Sequence, residues 1–402
     1  MEAHERRTLP EGWEWKKLGE IVAIGSGGTP SRGKKEYWEA GTIPWVKISD
    51  ISDKYISETS EKITNEGLEN SSAKIFPKGT ILISIFATLG DVGILKIDAA
   101  CNQALAGIQM TNNNLNPDFL YYYLKMLKSY FESIGRGVAQ NNINLTILKS
   151  TKIPLPPLPT QRRIVSILEK AEETKKLRAQ ADELTDRLLQ SVFREMFGVL
   201  GINAKGWDKK ALGECLEIPL NSGLSPICTD ETRGFPVLSL ANLRDNGLSN
   251  VITKYYQGDK PSKGIDLEIG DILISRSNTR ELVGRAGMYK GVPEKVIYPD
   301  LLIRIRVNRS ILNPVFFEKY LQTNSIKKIL HTLAHGSSGS MVKISQENLM
   351  NLSIITPPIF LQQKFARIVE KIEATRQSQN QSKQQIDDLF SALMQKAFRG
   401  EL

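Results

Sequence analysis

Cysteine and histidine are scarce in this sequence, three of each in 402 residues. Cys101, Cys215 and Cys228 lie far apart with no C-x-x-C among them, which excludes a disulfide framework or a cysteine-based metal site and predicts buried thiols. His331 and His335 stand four residues apart but have no third ligand nearby in sequence, so they read as a packed or surface pair, and His4 lies near the start. No apolar run reaches membrane-spanning length. The opening MEAHERRTLPEGW is charged where a secretory signal is apolar, so a cytoplasmic protein with no membrane contact is expected.

Catalytic motifs are missing as well. Gly28 to Lys35 (GTPSRGKK) approaches a phosphate-binding loop, but Lys35 stands where a Ser or Thr would hold magnesium, and EYWEAGTIPW is a poor start for the helix that must follow. NPDF at Asn116 approaches the NPP-aromatic tetrapeptide of amino-methyltransferases but lacks its second proline, and no glycine-rich cofactor loop accompanies it. No acid and lysine cluster has nuclease spacing. The chain is therefore expected to be non-catalytic, with no catalytic residue, no metal and no cofactor of its own.

What is present is an ordinary globular composition, 41% hydrophobic, 24% charged and 7% aromatic. Its length suits two domains plus connecting elements. The net charge of +9 makes a polyanionic partner plausible.

The chain also says most things twice. GWEWKKLGE at Gly12 returns as GWDKKALGE at Gly206, IPWVKISDI at Ile43 is echoed by FPVLSLANL at Phe235, and KGTILIS at Lys78 returns as IGDILIS at Ile269. LNP at Leu115 reappears at Leu312, and PPLPTQRRIVSILEKAEE at Pro156 as PPIFLQQKFARIVEKIEA at Pro357. The offset drifts through the middle of each half, where loops vary, and settles at 201 in the last segment.

Each half reads as strands, then a helix, then a longer helix, an α+β pattern. Ile81 to Phe86, Ile272 to Ser275 and the alternating Ile303 to Val307 have strand chemistry. Asn116 and Asn313, each followed by proline, are N-caps; behind the first, Phe119, Leu120, Tyr123, Leu124, Leu127, Tyr130 and Phe131 form one apolar helical face. The terminal helices are predicted over Gln161 to Phe197, with Thr160 as cap, and over Gln362 to about Phe398, each about 55 Å long. Phe365, Ile368, Ile372, Ile386, Leu389 and Leu393 follow heptad spacing with a polar middle. Ile164 and Ile167 pass to Leu177, Leu184 and Leu188 after a three-residue slip. These residues are the predicted core of a helix pair, antiparallel if the globular parts lie at opposite ends.

GWEWKKLGE, GGTPSRGKKEYW with GTIPWVKISDI, FPKGTILIS, NNINLTILKSTKIPLPPL and the two repeated helices, in that order, resemble the specificity (S) subunit of type I restriction-modification systems over essentially the whole chain. The resemblance implies two mixed α/β target recognition domains, 1–155 and 201–355. Two helical spacers, 156–200 and 356–402, would form an antiparallel coiled coil with an internal pseudo-two-fold. Each domain would read half of a split target in double-stranded DNA, with the helices docking methyltransferase (M) subunits that hold S-adenosylmethionine; whether restriction (R) subunits join is left open. The second half departs from the pattern, since GSSGSMVKISQENLMNLSIITPPI replaces the asparagine-rich run and nothing matches GGTPS closely.

The candidate DNA contacts are basic loops rich in small residues. Arg32, Lys34 and Lys35 suit phosphates, and Arg276, Asn278, Arg280 and Arg285 suit phosphates or bases, since arginine matches guanine and asparagine matches adenine. Gln140, Asn141 and Asn142 suit adenine or simply form a turn. The competing reading is a structural coiled-coil tether with two protein-binding ends; arginines rather than apolar patches in the loops of both halves argue against it.

Overall fold

A computed structural model describes residues 9–135, 142–200, 203–245, 247–259, 261, 267–336 and 341–402. The chain divides into two compact units, Met1–Ala179 with Gln381–Leu402, and Gln180–Asn380. Both divisions fall inside long helices, α6 (Leu158–Phe197) and α10 (Ile359–Ala397), so each unit owns part of each helix.

In the first unit β1 (Glu14–Lys17) pairs antiparallel with β11 (Lys152–Leu155), closing the globular part on itself. A five-stranded sheet has the order β2 (Val22–Ser26), β10 (Leu105–Met110), β7 (Ile81–Ser84), β8 (Val92–Leu95), β4 (Tyr55–Ile56). A four-stranded sheet has the order β5 (Glu61–Ile63), β3 (Ile43–Val46), β9 (Ala99–Cys101), β6 (Ile75–Phe76). Every residue of β7 and β8 is buried, which is why these strands are apolar runs rather than alternations. Short helices α1 (Leu18–Ile21), α2 (Asn65–Glu69) and α5 (Leu145–Ser150) fill the gaps.

Helix α3 (Pro117–Met126) starts as expected, with Asn116 accepting from the amides of Asp118 and Phe119. It differs from the expected single apolar face. Phe119 to Leu124 are all buried, and the helix ends at Leu127 before α4 (Lys128–Gly135) begins. The tyrosines off that face, Tyr121 and Tyr122, tolerate burial because their hydroxyls find partners: Tyr122 donates to Glu172 on α6, and Tyr121 accepts from Lys125.

The second unit repeats this plan. β12 (Lys209–Ala211) pairs with β23 (Ser353–Ile355) as β1 does with β11. The order β13 (Asn221–Ser222), β21 (Leu302–Ile305), β18 (Ile272–Ser275), β20 (Ala286–Met288) reproduces β2-β10-β7-β8. β14 (Phe235–Val237) pairs with β17 (Lys254–Tyr256) as β3 pairs with β5. Two hairpin-sized pairs complete the unit, β15 (Leu243–Arg244) with β16 (Gly247–Leu248) and β19 (Ser277–Asn278) with β22 (Val342–Lys343). Its helices are α7 (Pro314–Leu321), capped by Asn313, α8 (Asn324–Leu333) and α9 (Gln346–Met350). The expected alternation around Ile303 to Val307 fails at Arg304, which is buried with its neighbours in the middle of the sheet.

Both long helices begin three residues before the expected start, at Leu158 and Ile359; in the first, Thr160 lies inside the helix and not at its cap, because Pro159 fits the first turn, where no amide donor is needed. Gly198 and Gly400 take left-handed φ of 83° and 73° at their ends. Gln161 is fully buried and joins α6 to its own globular part: its carbonyl accepts the Asn116 amide, and its amide donates to the Asn114 and Pro156 carbonyls. Gln362 does the same with Asn313, Ile311 and Pro357.

Within each unit the two helices run antiparallel. In the first, Ile164 and Leu168 of α6 share a core with Met394 and Ala397 near the end of α10; in the second, Phe193 and Phe197 pack against Phe365 near its start. The expected leucine seam is corrected. Leu177, Leu184 and Leu188 are 55%, 63% and 51% exposed and Leu389 is 56% exposed, so these four face outward. There is no slip. The inner seam continues in heptad register through Ala171, Lys175, Arg178, Asp182 and Thr185, and Lys175 and Thr185 are tolerated there because they meet polar partners across it. Lys175 pairs with Asp387 at 2.7 Å, Arg376 with Asp186 at 2.5 Å, and Gln379 donates to Thr185 at 3.0 Å. Ile164, Phe365 and Ile372 are buried, and Ile167, Ile368, Ile386 and Leu393 are half-buried.

Candidate nucleic-acid interface

The Gly27–Lys35 loop follows β2 and is fastened at its base. Gly27 and Gly28 donate to the Leu105 and Cys101 carbonyls, and a Cβ on either would come within 2.4 Å of neighbouring backbone, so only glycine fits. Further along, the indoles of Trp45 and Trp38 donate to the carbonyls of Gly28 (3.0 Å) and Ser31 (3.1 Å). The two rings meet edge to face, with centroids 4.9 Å apart.

Arg32 lies on this pair. Its guanidinium carbon is 3.7 Å from the Trp38 ring centroid and 4.8 Å from that of Trp45. Register explains the next partner: Trp45 on β3 stands opposite Glu61 on β5, which takes Arg32 on one oxygen and Lys47 (2.6 Å) on the other. These two hydrogen bonds, Arg32 first, hold the Glu61 carboxyl below its ordinary range. Lys34 donates to the Tyr37 hydroxyl at 2.8 Å, which raises its pKa, and Lys35 is largely exposed beside Glu39. Asn142 is half-buried and bridges to Phe86; Gln140 and Asn141 lie outside the described residues.

In the second unit Arg276 follows β18 with both backbone groups engaged, its amide by the Leu301 carbonyl and its carbonyl by the Ile344 amide; its side chain donates to Ser222. Ser277 is buried, so Arg276 and Asn278 share the opposite face of the chain. Arg280 is exposed at the turn and makes no ion pair among the described residues. Arg285 is drawn away to Asp245 at 2.9 Å, a carboxylate also met by Lys327. The structure therefore brings Arg276 and Asn278 together and separates Arg285 from them by its own ion pair.

The register of β14 against β17 shows what replaces the indole platform. Val237 occupies the place of Trp45, and Lys254 opposite it occupies the place of Glu61. Trp38, Trp45, Lys47 and Glu61 were missed as site residues from sequence; the signal available was the spacing of two tryptophans after a glycine-rich basic loop. His331 and His335 are not joined by further ligands: among the described residues no group of three His, Cys, Asp or Glu side chains is placed to hold a metal. Burial pushes the Cys101 thiol up to about 12, as expected of a core thiol.

Comparison with known proteins agrees with the duplicated plan. The family described as the type I restriction modification DNA specificity domain matches residues 10–184 and again 204–388. The specificity subunit of the type I restriction enzyme MjaIX of Methanocaldococcus jannaschii is 25% identical, over 98% of this chain and 94% of its own length. That of EcoKI from Escherichia coli is 23% identical, over 98% and 90%. A solved structure, from work on complex assembly and conformational transition of the type I R-M system, shares the fold with a TM-score of 0.65 and 23% identity, over 98% of this chain and all of the other. With two matched domains and two long helices accounting for its length, the chain belongs to the type I restriction-modification specificity subunits.

Proposed function

We propose that the first unit reads one half of a bipartite target in duplex DNA through the Gly27–Lys35 loop, and the second unit reads the other half through the Arg276–Arg280 segment. Helices α6 and α10 set the spacer and dock methyltransferase subunits. The chain takes no covalent step itself: S-adenosylmethionine and the flipped adenine belong to the methyltransferase, while this subunit grips the flanking duplex. Such a complex works in the cytoplasm, where the DNA is.

One observation carries this reading. Two units of the same strand order bear different chemistry at the same place, Trp45 with Glu61 in one and Val237 with Lys254 in the other. A duplicated scaffold with altered side chains at matched positions is what reading two different words requires. The outward leucines Leu177, Leu184, Leu188 and Leu389 support the docking role, since more than half of each is exposed and none joins a core among the described residues.

The test is to express the chain with its methyltransferase in a host free of other adenine methylation and map the methylated sites. A split motif with a fixed spacer is expected. Methylation without sequence preference, or a single continuous motif, would reject the reading.

A further inference from the structure

An arginine beside DNA can serve in two ways that ask for different surroundings. A phosphate anchor works through uncompensated charge, gains from counterion release and tolerates loose geometry. A base reader works through the planar fork of the guanidinium, which must be held in one orientation to meet two acceptors at once, and its net charge matters less.

Arg32 has the second kind of surroundings. Its guanidinium carbon lies over the Trp38 ring at 3.7 Å, with Trp45 beside it at 4.8 Å, and those indoles also hold the carbonyls of the loop that carries it. The bond to Glu61 uses NH1, leaving NH2 both of its hydrogens, and the side chain remains 52% exposed. The ordering cost of presenting the fork is thus met before DNA arrives. The same carboxylate makes Arg32 a poorer phosphate anchor than a free cation, because Glu61, shared with Lys47, takes up part of its charge and repels a phosphate brought to the same spot. Lys35, on the same loop with its side chain 83% exposed, has the opposite character.

From this we infer that Arg32 is a specificity-determining residue that contacts a guanine, through O6 and N7 in the major groove, in the half-site read by the first unit. Trp38 and Glu61 are its positioning residues, and Lys35 contacts a neighbouring phosphate. The inference rests on the proposed DNA-reading role of the unit and goes further, assigning one base and one side chain.

The experiment compares methylated-site maps for the full chain, co-expressed with its methyltransferase, as wild type and as Arg32→Lys, Arg32→Ala, Trp38→Leu and Lys35→Ala, with thermal unfolding of each purified chain. Arg32→Lys keeps the charge and loses the fork. It is expected to relax one G·C position of one half-site by about 5- to 150-fold, leaving the spacer and the other half-site unchanged. Trp38→Leu should relax that same position, which a merely structural role would not single out, and Lys35→Ala should lower methylation at all sites alike. If Arg32→Lys retains the full motif, or Arg32→Ala weakens every site equally, the guanine assignment is overturned. Should Arg32→Ala fail to fold, Arg32→Lys still decides. A wild-type map with no split motif would reject the DNA-reading role itself, and this inference with it.

Discussion

Glu172 on α6 and Glu373 on α10 occupy the same place in the repeat, 201 residues apart, and each is held by lysine from its own globular part. Lys125 and the Tyr122 hydroxyl meet Glu172, both at 2.8 Å; Lys290 (2.6 Å) and Lys319 (3.4 Å) meet Glu373. Burial alone would raise both carboxyl pKa values, but the hydrogen bonds and nearby charges outweigh it and hold them below the ordinary 4.5. A carboxyl depressed in the folded state stabilises fully above its unfolded pKa, and that contribution is lost as pH falls through the folded value. Stability should therefore decline below about pH 4.5, and the combined Glu172→Gln, Glu373→Gln chain should lose less between pH 6 and pH 4 than the wild type. Urea unfolding at the two pH values measures the difference, and equal losses would show that these sites do not govern the acid limb. Neither clamp was legible in the sequence, because the repeat keeps the glutamate but draws its lysines from unrelated positions. Arg32 was legible as a cation in a glycine-rich loop; its platform was not, since the rings arrive from a 3-10 turn and a strand that only the fold brings beneath it.

At the scale of the elements, legibility followed how local the cause is. The caps at Asn116 and Asn313 and the strand Ile272–Ser275 rest on a few neighbouring residues, and the structure has them where the sequence puts them. The seam of the long helices did not follow hydrophobicity. Leucines at 177, 184 and 188 looked like core because they are apolar, while the middle of the helix pair carries polar contacts and ion pairs visible only once both helices are in place. This separates two kinds of apolar position. Phe365 is fully buried among Phe193, Phe197 and Phe316, so Phe365→Ala should cost about 3 to 5 kcal/mol in urea unfolding. Leu184→Ser with Leu188→Ser should change stability by no more than about 0.5 kcal/mol per site but abolish co-purification of the methyltransferase. Retained co-purification would place docking elsewhere on the chain.

For the whole molecule, helix length is the quantity that bears on the DNA. Between Lys175 and Asp186 of α6, and between Arg376 and Asp387 of α10, the helices carry mostly polar residues, and those four side chains form the two ion pairs that bracket the stretch. Deleting residues 178–184 together with 378–384 removes one heptad from each helix and leaves both pairs and both aromatic ends intact. Seven residues shorten a helix by about 10.5 Å, close to three base pairs of B-DNA. The rotations do not match, however. A heptad falls about 20° short of two full helical turns, whereas three base pairs of a 10.5-base-pair turn rotate the groove by about 100°. The shortened chain should therefore keep both half-site words, prefer a spacer about three base pairs shorter, and methylate it less completely than the wild type does its own target, because the duplex must twist to bring both grooves into register. A map of methylated sites in cells expressing the shortened chain with its methyltransferase reads all three quantities. An unchanged spacer would deny the helices their role in setting it, and an altered half-site would mean that the deletion had reached the reading loops.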